Sequence, residues 1–128
     1  MPNSLWPDFS TVTPPPRGLR EMLYDLAGDI DSKTGGAIKF YVDTLGVTSA
    51  IEKVRHNCYL RVPKTEYTHL LFQVNTPVPG PWPAVASTPE GERFPDIQDE
   101  NQLRDAVEKI LQRERTKEVV LYLLSTVR

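Results

Sequence analysis

Thiol and imidazole are scarce in this 128-residue chain, which holds one cysteine, Cys58, and two histidines, His56 and His69. One cysteine cannot form an intramolecular disulfide and cannot dominate a zinc site. No stretch approaches the ~20 apolar residues that a membrane span needs. The opening MPNSLWPDFS has neither the basic start nor the apolar run of a signal peptide. These absences set the expectation of a soluble protein in a reducing cytoplasm, without membrane contact. Basic excess is absent too: 15 Lys and Arg stand against 17 Asp and Glu, a net charge of −2. Phosphate neutralisation dominates affinity for nucleic acids, so this balance argues against a nucleic-acid partner.

Catalytic and metal motifs are missing as well. DIDSKTGG places Asp29 and Asp31 as a calcium loop would, but Lys33, Thr34 and Phe40 occupy the fifth, sixth and twelfth positions. TGGAIK lacks the glycine spacing of a phosphate loop, and no serine lies in a nucleophile elbow. No pair of carboxylates is singled out for acid–base work. The sequence therefore assigns no catalytic residue, metal or cofactor.

What is present is an ordinary globular composition, 39% hydrophobic and 25% charged, on a length that suits one domain. Residues 1–16, MPNSLWPDFSTVTPPP, carry five prolines and no periodic pattern. They read as an extended arm that lies on its own domain, with Leu5, Trp6 and Phe9 as anchors. The domain itself is residues 17–128. It opens on a helix with Thr13 as its cap and TGG as its stop. Leu19, Met22, Leu23, Leu26, Ala27 and Ile30 form the apolar stripe of that helix, and Arg20 and Tyr24 face water.

Three strands with short turns follow: AIKFYVDTL, VRHNCYLRV and YTHLLFQVN. Each alternates, which predicts an antiparallel meander with one buried face. GVTS and PKTE make the turns. In this phase His56 and Cys58 are inside, with Leu70, Phe72 and Val74. Tyr67, His69, Leu71 and Gln73 are outside, so the two histidines fall on opposite faces and cannot share a proton or a metal. The prolines at 77, 79, 81 and 83 predict an extended, rigid connection around Trp82. AVAS then makes a short fourth strand at a sheet edge, and TPEGERFPD a loop. DENQLRDAVEKILQRER is a helix with Asp99 and Gln102 as a capping box, and TKEVVLYLLSTVR is read as a second helix.

The fold expected is α+β: an N-terminal helix, a three- to four-stranded antiparallel meander sheet, and two C-terminal helices on one sheet face. The other face would carry Tyr41, Arg55, Tyr59, Arg61, Tyr67 and His69. Tyrosine and arginine dominate binding hot spots because they combine large area with a polar handle. The function expected is a small protein-binding or regulatory module, of the immunity-protein or adaptor type, that uses this face on a protein partner. Two alternatives are an enzyme with His69 as acid or base on the same face and a structural homodimer formed by self-association.

Overall fold

The computed structural model describes residues 5–9, 17–47 and 52–128. Its element order is α1 (Leu19–Ala27), α2 (Ile30–Lys33), β1 (Lys39–Val47), β2 (Lys53–Val62), β3 (Tyr67–Pro77), β4 (Ala84–Ser87), β5 (Arg93–Ile97), α3 (Glu100–Leu111) and α4 (Glu114–Ser125). The strands pair antiparallel in sequence order, as one five-stranded meander. The α+β expectation holds, with five strands rather than three to four.

Hydrophobic burial explains the layering. Leu19, Met22 and Leu23 of α1 share a core with Leu103, Val107 and Ile110 of α3 and with Val119 and Leu123 of α4. All of them pack on one sheet face, whose residues include Phe40, Val42, Cys58, Leu60, Phe72 and Val74. Phe72 is fully buried, stacks on Phe40 at 6.3 Å, and Phe40 meets Tyr24 edge-on at 5.5 Å. Tyr24 is therefore not a wet-face residue. It is half-buried, and its phenol oxygen accepts a 3.0 Å hydrogen bond from the Val42 N–H. That bond ties the first helix to the sheet.

The ends of the helices follow local chemistry. α3 starts as expected: Asp99 accepts from the Gln102 N–H at 2.8 Å, and the Gln102 amide oxygen accepts from the Gln98 N–H at 2.7 Å. The first helix is shorter than its apolar stripe. It ends at Gly28, and one further turn, α2, carries Ile30. Gly35 and Gly36 then turn the chain with φ of 59° and 84°, a left-handed conformation that glycine tolerates best. Thr13 lies outside the described residues, and so do Thr48 and Ser49 of the GVTS turn, whose Gly46 and Val47 belong to β1.

Leu5, Trp6 and Phe9 are exposed side chains. Three other expectations need correction. The connection over residues 78–83 is a series of bends rather than a straight rod. β4 is an inner strand, flanked by β3 and β5. The segment read as a loop contains β5, an edge strand that accommodates Pro95 and kinks at Asp96, where φ is 59°.

The fourth strand pair is pinned from the helix side by Arg113, just before α4. It bonds Glu90 at 2.8 Å and Glu92 at 2.5 Å in the β4–β5 turn, the Ile110 carbonyl at 3.1 Å and the Thr116 hydroxyl at 3.2 Å. Burial works against its charge, but the hydrogen bonds to Glu92 and Glu90 outweigh it and raise the pKa further.

Candidate functional site

The strand register decides which side chains reach the open face. β1 and β2 pair without interruption, with Tyr41 opposite Tyr59, Asp43 opposite Asn57 and Leu45 opposite Arg55. Partners directly across an antiparallel ladder share a face. Because Phe40, Val42, Cys58 and Leu60 are buried under the helices, the odd-numbered set points away from them. Tyr41 and Tyr59 lie side by side there, with ring centroids 6.4 Å apart and planes 33° apart. Arg61 pairs with Lys39 on one side and with Thr68 on the other. Four of the expected residues, Tyr41, Arg55, Tyr59 and Arg61, are thus on one face.

Tyr67 and His69 are not. Cys58 pairs with Phe72, but the next residue, Tyr59, pairs with Leu70, so Leu71 is an extra residue in β3. Such a bulge reverses the phase of the strand. On its N-terminal side Tyr67 opposes Val62 and His69 opposes Leu60, both core residues. Leu71 is buried, only 2% exposed, and Leu70 takes a half-buried place beside Tyr59 on the open face. Tyr67 and His69 instead line a shallow concavity of about 380 Å³ with Arg115, Glu118 and Tyr122 of α4. His69 is turned away from Arg55 and Arg61, so the acid–base group expected on the open face is not assembled.

The histidines do lie on the same side of the sheet, contrary to the parity argument, and still do not meet. His56 opposes Val74 and His69 opposes Leu60. Four residues of strand separate them, roughly 13 Å at the usual rise. His56 is buried, and its Nδ1 lies 2.9 Å from the Thr44 hydroxyl. Burial lowers its pKa below the ordinary value, and the Arg20 guanidinium adds to the effect. The His69 pKa is also lowered, by burial first and then by Arg115, with Glu90 opposing. Cys58 is fully buried, and desolvation pushes its thiol far above the usual range, which makes it inert as a nucleophile. Among the described residues no group of three or more His, Cys, Asp or Glu side chains could hold a metal ion.

The open face has a charge pattern that the sequence total concealed. Its paired strand positions carry Lys39, Lys53, Arg55, Arg61 and Arg93 against one paired carboxylate, Asp43, and Lys39 also meets Asp31 at 3.9 Å. The register adds Asn57, Gln73, Asn75 and Ser87 between them. Asn57 Oδ1 is shut off from solvent and accepts no hydrogen bond. Arg55 and Arg61 were legible as alternate residues of one strand. Lys53 lies one residue before the expected start of that strand, and Arg93 belongs to a strand that the sequence did not show, so neither was legible.

Two further concavities lie elsewhere on the described surface. One, of about 450 Å³, lies on the helix side over Phe40, Leu60 and Leu71, between Leu26 and Ile30 on one wall and Val107 and Leu111 on the other. The other, of about 320 Å³, opens on the sheet side and is lined by Lys53, Asn75, Ser87 and Arg93 with Pro77 and Pro83. No described helix is long and apolar enough to cross a membrane. No protein-family model matches the chain, and no curated protein or solved structure matches it either.

Proposed function

We propose that the chain is a small binding module whose open sheet face docks an acidic surface of a protein partner. The observation that supports this reading best is the concentration of Lys39, Arg55 and Arg61 around the Tyr41–Tyr59 pair, on the face opposite the described helices. Leu45, 39% exposed, and Tyr41, 44% exposed, add apolar area to a positively charged surround. Large aromatic side chains flanked by arginine are the usual anchors of an interface, and opposite charge steers a partner onto them. The partner proposed is a different, acidic protein. A second copy of this chain would bring the same cations face to face, which opposes a homodimer built on this surface.

The test is a Tyr59→Ala, Arg61→Ala double variant, compared with wild type in partner capture, on a sizing column and in a urea melt. Stability should change by about 1 kcal/mol or less, as surface substitutions usually do. Capture should fall tenfold or more, since truncating a hot spot costs ~2 kcal/mol or above. The captured protein should be acidic, and its binding should weaken as salt is raised. Capture that is equal in wild type and variant, or insensitive to salt, overturns the reading. A wild-type dimer that the variant abolishes replaces it with self-association.

A further inference from the structure

At the end of the open face farthest from the tyrosine pair, β2, β3, β4 and β5 form a trough with a distinct composition. Lys53 lies at one end and Arg93 at the other, with Asn75 and Ser87 between them. Arg55 borders it, since its Nε donates to Asn75 Oδ1 at 3.1 Å. No carboxylate lines the trough. Among the described residues, none of Lys53, Arg55 and Arg93 forms an ion pair, although the chain has more acidic than basic side chains. Its rim is apolar, built from Pro77, Pro83 and Val85.

We propose that this trough binds a small molecule bearing a phosphate group, a site that adjoins the docking surface around Tyr41 and Tyr59 and shares only Arg55 with it. Charge and shape both point to that class. Three unneutralised cations around one depression raise the local concentration of anions and suit a dianion better than a single carboxylate. The Ser87 hydroxyl and the Asn75 amide N–H₂ donate to phosphate oxygens, while the Asn75 carbonyl oxygen stays occupied by Arg55. Arg93 offers a planar fork that can engage two oxygens at once, and Lys53 supplies a point charge from the opposite end. The proline and valine walls give an organic substituent an apolar surface to lie on. A volume of about 320 Å³ is at the lower end of the range for small-molecule sites, so the group carried is compact.

The experiment is a titration of the isotopically labelled chain with phenyl phosphate and, separately, with inorganic pyrophosphate, at low salt. Backbone amide signals of Lys53, Asn75, Ser87 and Arg93 should shift together and saturate, with an affinity of about 1 mM or tighter. A Lys53→Gln, Arg93→Gln variant should weaken binding tenfold or more. Asn75→Asp keeps an acceptor for Arg55 and sets a negative charge in the trough, so it should weaken binding as strongly without removing a cation. The Tyr59→Ala, Arg61→Ala variant should bind both probes as wild type does, which separates this site from the docking reading. Absence of saturation, shifts spread equally over the cations of the helices, or unchanged binding in the Lys53 and Arg93 variant would each overturn the proposal. A phosphoserine peptide that binds more than a hundredfold tighter than phenyl phosphate would also overturn it, in favour of a phosphoprotein ligand.

Discussion

His56 carries most of what a single residue can tell about this molecule. It sits in a strand among Val54, Cys58 and Leu60, is 7% exposed, and has a hydroxyl as its hydrogen-bond partner rather than a carboxylate. Burial disfavours the imidazolium, so the folded state resists a proton that the unfolded chain takes up near pH 6.5. A depressed folded pKa means that the stability is fully present above the unfolded value and is lost as pH falls through and below it. His69 acts in the same direction, with Arg115 in place of Arg20 as the nearby cation. The urea midpoint should therefore drop between pH 7 and about 5.5, a window above the ordinary carboxylate range. His56→Gln should flatten that drop relative to wild type. A midpoint independent of pH across the window, or a His56→Gln slope equal to that of wild type, would show that the imidazole is solvated after all.

At the scale of elements, the limit of legibility is one residue wide. β1 and β2 alternate with a single apolar phase, so Tyr41, Arg55, Tyr59 and Arg61 could be placed from the sequence. β3 reads YTHLLFQVN, in which Leu70, Leu71 and Phe72 are all apolar. Such a run satisfies either phase, and nothing within it shows where an extra residue is inserted. The phase correct for Phe72 and Val74 was carried back across the bulge to Tyr67 and His69, where it is inverted. β5 was hidden for another reason. Its sequence, RFPDI, contains a proline and too few apolar residues to show a period of two, and only an edge position tolerates it. The helices were legible because their stripes and the Asp99 cap are local signals. The bulge makes a paired prediction. Leu71→Ala should cost about 2–5 kcal/mol, the loss for a buried leucine, whereas Leu70→Ala should cost about 2 kcal/mol less than that. Urea melts of the two variants decide it. Equal losses, or a greater loss at Leu70, would mean that β3 runs without a bulge.

Over the whole molecule, a net charge of −2 averages two unlike surfaces. The open sheet face gathers Lys39, Lys53, Arg55, Arg61 and Arg93 at its paired positions against Asp43, while most of the acidic side chains lie elsewhere. Net charge sets long-range behaviour, but within about a Debye length of a surface the local potential decides what binds. At pH 7 and low salt the protein should therefore be retained on a cation exchanger despite its negative total. Replacing Lys53, Arg55 and Arg61 by glutamine lowers the formal net charge from −2 by three, to −5, and should abolish that retention. Replacing the exposed helix residues Arg104, Lys109 and Lys117 by glutamine gives the same −5 but leaves the sheet face intact. That control should still be retained, and both variants should elute later than wild type from an anion exchanger. If both triple variants lose cation-exchange retention equally, the total charge governs and the sheet face has no special potential. If only the sheet variant loses it, the attraction belongs to the face on which both proposed ligands, the acidic partner and the phosphate, would have to arrive.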